Sequence, residues 1–290
     1  MFRYIQNVLT NIVLFLLMSG FFACESRTIT YYSTDPGGHG GGSNTQHIFF
    51  DFSGINLTRD SNTNMYPVLS PSQDLVVYQS KDSDNPSEIY SISVDGSIKI
   101  NLSDSPEEDT FPAFSPDGDN IAFFRNDSIY MMNSDGSNQR RISSFQADSR
   151  YHLGFVENGR YLIATVMQEH RRFIGKIKTD GSEDIILNPS IEGFNSRTHQ
   201  IRSLIVFVGG QESNQDVFFM GSDGVNVVNV SVEPGQYFDP IISPNGEYIA
   251  YSRRDNPNEY FQVYIVNYNQ STKRKISGGY TDDLSPVFTP

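Results

Sequence analysis

The sequence predicts an all-β chain folded as a six-bladed β-propeller, and three observations carry that expectation. A short apolar run recurs, starting at Leu75, Ile121, Leu162, Leu204 and Ile249, at intervals of 46, 41, 42 and 45 residues. Periods of about 40–50 residues holding four short strands each mark propeller blades. A common opening precedes three of these runs, as YPVLSP at 66–71, FPAFSP at 111–116 and DPIISP at 239–244. The opening stands once more at 284–290 (LSPVFTP) with no second run behind it, whereas ITYYS at 29–33 is a second run with no opening before it. The two half-units complete one another. The N- and C-terminal strands are therefore expected to share one composite blade that closes the ring.

In chain order, the composite blade takes its second strand from 29–33, its third from 47–52 and its fourth from 55–58, with a glycine-rich loop at 36–43. Five continuous repeats follow, and the second shows the parts most clearly. Residues 111–116 form a first strand, Asp117-Gly118 a turn, 121–124 a second strand and 129–132 a third. Asp135-Gly136 then turns the chain into a fourth strand at 141–143. Asp-Gly recurs at Asp95-Gly96, Asp180-Gly181 and Asp223-Gly224, and it predicts tight type I′ hairpins with φ > 0 at both central positions. The fourth repeat, opening around 197–202, has lost its Ser-Pro pair, and the fifth has a longer polar turn at 268–273. Strand residues are β-branched or aromatic and alternate with polar ones, as in YSIS at 90–93.

No sustained 3.6-residue apolar periodicity follows the first residues, so 28–290 reads as one domain. Hydrophobic residues make up 37% of the chain and aromatic residues 13%, with no tryptophan, so Phe and Tyr must fill the core. The formal charge is −13, from 34 acidic and 21 basic residues. That balance argues against nucleic acid as a partner, since its backbone needs basic patches.

Residues 1–23 read as a cleaved signal peptide, with Arg3 ahead of an apolar stretch too short to span a bilayer. Cys24, the sole cysteine, follows Ala23 at its end and resembles the lipobox of bacterial lipoproteins. Residues 24–27 are then a lipidated tether that anchors the chain to a membrane.

Catalytic signatures are missing from the sequence. It holds no Gly-x-Ser-x-Gly elbow, no His-Glu-x-x-His and no cysteine pair. The five histidines are scattered singly, and Asp-rich turns such as SPDGDN recur where hairpins turn, without the spaced ligands of a calcium loop. No cofactor, no metal and no enzymatic activity are expected. Recognition is expected on the loops joining second to third strands and on the links between blades, which are the longer and more varied ones. The candidate contacts there are Arg171, Arg172, Arg197, Arg253, Arg254 and Tyr260, beside an acidic group of Glu107, Glu108 and Asp109.

The unit FPAFSPDGDNIAFF, followed by IYMMNSDG and RRIS, resembles the repeat of TolB-like propellers, and the likeness runs from Ile29 to Pro290. That resemblance implies a six-bladed, bacterial, envelope-located binding platform. TolB carries an α/β domain ahead of its propeller, for which the three residues between Cys24 and Thr28 leave no room, so no partner is carried over. The expectation is a monomeric, non-enzymatic lipoprotein scaffold in the cell envelope, facing the periplasm and binding envelope proteins. Two alternatives stand beside it: a propeller that senses a glycan or peptide in its central funnel, and a metal-dependent lyase or lactonase.

Overall fold

The structure, a computed structural model, describes residues 29–33, 46–50, 55–199, 202–211, 214–233, 235–256, 258–269, 272–277 and 286. The signal peptide expected at 1–23, the lipidated tether expected at 24–27, the glycine-rich loop at 36–43 and the closing strand expected at 284–290 lie outside these residues, Pro286 apart. Among the described residues, regular structure is all strand but for one 3-10 turn at Glu157–Gly159.

Five antiparallel meanders follow the repeat. The second runs Asp109–Phe114, Asn120–Arg125, Ser128–Asn133 and Arg140–Arg141, each strand paired with the next. The first starts with Thr63–Leu69, the fourth with Gly193–His199 and the fifth with Gln236–Ile242. In the third, the first strand is split into Gln146–Ala147 and Gly154–Val156, both paired to Tyr161–Gln168, and residues 148–153 lie between the two pieces. Ahead of the meanders, Ile29–Ser33, Gln46–Phe50 and Ile55–Asn56 form a three-stranded group, joined to the first meander by one parallel bridge from Gln46 to Thr63.

The core lies between successive sheets. Val77, Ile89 and Leu102 of the first meander pack on Phe114, Ile121 and Phe123 of the second. Equivalent clusters join the second to the third, the third to the fourth and the fourth to the fifth. Ile48 and Leu57 of the amino-terminal group meet Val76, Tyr78 and Ile92 of the first meander in the same way.

The repeat's polar residues hold its turns. In the three repeat openings the serine of the Ser-Pro pair accepts the backbone N–H five residues on: Ser70 from Leu75 at 3.1 Å, Ser115 from Asn120 at 3.0 Å and Ser243 from Tyr248 at 2.9 Å. The Asp-Gly hairpins differ from the expected type I′ geometry. Only the glycine is left-handed, with φ between 73° and 87° at Gly96, Gly136, Gly181 and Gly224. Two of the loops have four residues, closed by Ser93 N–H to the Ile98 carbonyl and Lys178 N–H to that of Glu183. Two have three, closed by Asn133 N–H to the Ser137 carbonyl and Gly221 N–H to that of Val225. Both lengths are built around a type I turn. The aspartate stays right-handed because its carboxylate accepts the N–H two residues on, 2.9 Å away from Asp95, Asp135 and Asp180 alike. Hydroxyl donors, Ser93 and Ser97 at Asp95 and Ser182 at Asp180, act with these backbone donors to hold both carboxyls down at about 2.

Candidate functional site

In four meanders the first strand breaks register at one place, between Met65 and Val68, Thr110 and Ala113, Phe194 and Arg197, and Phe238 and Ile241. The skipped residues are Tyr66-Pro67, Phe111-Pro112, Asn195-Ser196 and Asp239-Pro240. Proline has no N–H to give a ladder, so a bulge is the place for it. The residue ahead is left-handed in every case, with φ of 53°, 51°, 52° and 44°. Such a backbone is strained for tyrosine and phenylalanine.

The bulge residues of neighbouring sheets meet one another. The Tyr66 and Phe111 rings stack with centroids 4.0 Å apart, and His152, from the split strand of the third meander, sits edge-on 5.0 Å from Phe111 and 5.7 Å from Tyr66. Asn195 Nδ2 donates to Asp239 Oδ1 at 3.0 Å. Burial pushes the His152 imidazole down to about 3, with the Arg197 charge adding to the effect and Asp239 opposing it. Side chains of the first strands thus meet in two groups, Tyr66–Phe111–His152 and Asn195–Asp239. The sequence analysis missed Tyr66, Phe111, Asn195 and Asp239. For Tyr66, Phe111 and Asp239 the signal was the fixed place ahead of a proline in the opening segment; Asn195, followed by Ser196, carried none.

This geometry makes stability depend on pH. His152 is neutral when folded and takes up a proton near 6.5 when unfolded, so its contribution is whole above 6.5 and is lost as pH falls toward 3. Each pH unit in that window costs up to about 1.4 kcal/mol. Between pH 6.5 and pH 5, wild type should lose roughly 2 kcal/mol more than His152→Phe in urea unfolding. Equal losses would refute the assignment.

The bulges lie in the middle of their strands, whose starts stand at the end of the sheets that carries the second-to-third loops and the inter-sheet links. Most of the charged candidates on that end are engaged in ion pairs. Asp109 is fully buried and takes a bidentate pair from Arg125, Nε–Oδ1 at 2.8 Å and Nη2–Oδ2 at 2.7 Å. Arg172 meets buried Asp148 at 2.8 Å, alongside Arg150 at 2.6 Å. Burial works against the Asp148 charge, but the two guanidiniums hold its carboxyl below the usual range. Arg171 pairs with Glu192 at 2.8 Å. Arg253, itself buried, pairs with Glu233 and with Asp255 at 2.6 Å. Asp109 and Arg253 are thus staples of the sheets, not exposed contacts. Cross-strand register, which local sequence does not reveal, sets Asp109 opposite Arg125.

Exposed material remains. Glu108 reaches Lys81 at 3.5 Å and Glu107 lies 3.7 Å from Arg125, both carboxylates half-exposed. Tyr260 is 52% exposed and Phe238 40%, and the Phe238 ring meets Phe261 edge-on at 5.1 Å. The Arg254 guanidinium lies 4.5 Å over Phe261 while its Nε donates to Gln236. This end therefore carries an aromatic and arginine patch.

No family model matches the chain, and no curated protein matches it. Solved structures do. TolB from Acinetobacter baumannii aligns with a TM-score of 0.67 at 16% identity, over 94% of this chain and 69% of its own. A protein provisionally assigned as TolB from Agrobacterium tumefaciens gives 0.62 at 14% identity, over 77% and 83%. The fold is a TolB-like β-propeller. The meanders are its blades. An oligogalacturonate lyase in complex with manganese gives 0.62 at 10% identity, over 86% and 72%. Identities this low speak for fold alone. Among the described residues, no group of three His, Cys, Asp or Glu side chains is placed to hold a metal ion.

Proposed function

We propose that the protein is a non-enzymatic scaffold of the bacterial cell envelope, exported, anchored through Cys24 and facing the periplasm, that binds other envelope proteins on its long-loop end. The observation that carries this reading is the patch of Phe238, Tyr260 and Arg254 over Phe261. Exposed aromatics beside arginine are the residues that dominate protein–protein binding energy. The Tyr66–Phe111–His152 cluster supports it further, because these first-strand rings pack on one another. In this reading the ring has six blades. Leu57 of the amino-terminal group lies under Gly96 as Leu102 lies under Gly136 and Leu187 under Gly224, which gives that group the position of a blade. Residues 284–290 complete it.

Affinity capture from detergent-solubilised envelopes tests the reading in three arms. Replacing Phe238 and Tyr260 with alanine should reduce the captured protein about tenfold or more, while Asn245→Ala on the opposite turns should leave it unchanged. Cys24→Ser should move the protein from the detergent phase to the aqueous phase. A chain lacking 284–290 should be insoluble or melt far lower. Capture that survives loss of both aromatics and fails with Asn245→Ala would overturn the choice of face.

A further inference from the structure

The chain holds Asn-Gly twice, at Asn158-Gly159 and Asn245-Gly246, each in the turn between the first and second strands of its blade. The two turns are built differently. At Asn245 the side-chain amide is held at both ends. Its Oδ1 accepts from Ser243 Oγ at 2.7 Å and from the Glu247 N–H at 3.0 Å, and its Nδ2 donates to Glu247 Oε2 at 3.1 Å. The Gly246 N–H donates to the Ser243 carbonyl at 2.7 Å. Asn158 stands where the third blade has no Ser-Pro, and it lacks those partners. It is exposed, and its side-chain amide makes no hydrogen bond to any described residue. Glu157, Asn158 and Gly159 are all left-handed, at φ 52°, 54° and 84°. Residues with side chains visit that region singly, so Glu157 and Asn158 in succession are strained. The turn is closed by a long bond, Arg160 N–H to the Glu157 carbonyl at 3.2 Å. Leaving this conformation releases strain and breaks little.

Asparagine is a labile side chain, and ahead of glycine it has a reaction that needs only water. The Gly159 backbone nitrogen attacks Asn158 Cγ and gives up its proton to base. The new C–N bond forms, the Cγ–Nδ2 bond breaks, and ammonia leaves. Water then opens the succinimide ring at either carbonyl, leaving aspartate or an isoaspartyl link whose main chain runs through Cβ. Glycine suits the attack because no Cβ crowds its nitrogen. The attack also requires backbone and side chain to rotate toward one another, which Asn245 cannot do without losing its bonds. We propose that Asn158 is a site of spontaneous modification, converting to aspartyl and isoaspartyl forms in the folded protein while Asn245 is spared. The consequence falls on both neighbouring blades. Glu157 takes Lys176 at 2.6 Å and Ser222 of the fourth blade at 2.8 Å. A Cβ on Gly159 would stand 3.0 Å from Pro116 Cδ of the second blade. A new carboxylate beside Glu157 and a lengthened main chain disturb both contacts, so the molecule ages at the joints of its third blade.

The test holds the whole protein in warm, mildly alkaline buffer, folded in one arm and in urea in the other, and digests it at intervals. Mass spectrometry of the two Asn-Gly peptides reads the mass gained when amide becomes acid. Enzymatic methylation of isoaspartyl residues reads the ring route, since direct hydrolysis gives aspartate alone. In the folded protein Asn158 should convert roughly tenfold or more faster than Asn245, the factor that one or two hydrogen bonds to be broken supply. In urea, where neither turn persists, the two rates should converge. The melting temperature of wild type should fall as conversion proceeds. That of Asn158→Gly, which the left-handed backbone accepts, should not fall with time. Equal conversion of the two sites in the folded protein would overturn the proposal. So would a difference of the same size in urea, which would assign it to flanking residues and not to the turns. Aspartate without isoaspartate would overturn the ring route, and an aged protein that melts as fresh protein does would overturn the consequence drawn for the joints.

Discussion

Asp109→Ala is expected to lower the stability of the protein by about 3 kcal/mol or more, the loss seen when one partner of a buried ion pair is removed. For a chain of this size that is a fall in melting temperature of roughly 6–10 °C. The carboxylate is fully buried, and Arg125 is 12% exposed, so the variant leaves an enclosed guanidinium with only half-exposed Glu107, 3.7 Å away, as counter-charge. Arg125 Nη2 also donates to Gln139 Oε1 at 2.8 Å, and Gln139 Nε2 donates to the Leu102 and Ser103 carbonyls of the preceding blade, 3.0 Å each. The pair thus fixes the first two strands of the second blade and, through Gln139, the joint to the first. Removing the carboxylate should loosen both. Asp109→Leu combined with Arg125→Met removes both charges and should recover most of the loss, because well-packed apolar residues can replace a buried pair at little cost. A melting point within about 2 °C of wild type for Asp109→Ala would mean that the pair contributes no more than an exposed one.

Asp109 also shows where sequence stops being legible. Period, hairpins and strand order are local, so they could be read from Ser-Pro, Asp-Gly and the apolar runs. The second blade follows its expected strands within two residues at each end. The fourth blade, opening around 197–202 by sequence, begins at Gly193, since without Ser-Pro nothing local marks its start. Binding candidates fared differently because charge and loop position do not tell an exposed arginine from a paired one. Arg253 and Arg172 look alike in sequence to any loop cation. Only the fold sets Glu233 and Asp148 beside them. The bulge residues were visible as letters but not as a set. Tyr66, Phe111, Asn195 and Asp239 share a place and a backbone twist, not a chemistry. Phe238 was hidden for the opposite reason, since an aromatic in an alternating strand reads as core.

Gly136→Ala should cost more than Gly96→Ala, although both substitute the same turn of the same repeat. Both glycines are left-handed, at φ 87° and 73°, so each variant carries the conformational penalty of about 1–2 kcal/mol for a side chain there. The surroundings differ. A Cβ on Gly136 would lie 2.7 Å from the Leu102 carbonyl oxygen and 3.1 Å from its Cα, whereas one on Gly96 would find nothing nearer than the Leu57 carbonyl oxygen at 3.7 Å. The close neighbour at Gly136 is backbone, which cannot swing aside as a side-chain tip would. It is also the carbonyl that Gln139 bonds, so moving it disturbs the network that ends at Asp109. Relief would require the second blade to move away from the first. Gly136→Ala should therefore lose about 3–4 kcal/mol against about 1–2 for Gly96→Ala. Thermal unfolding of the two variants side by side decides it, since the difference between them cancels the turn and isolates the joint. Equal losses would show that blade-to-blade contact at Leu102 has slack enough for a methyl group. A larger loss at Gly136, with Gln139→Ala no longer additive to it, would place both residues in one joint.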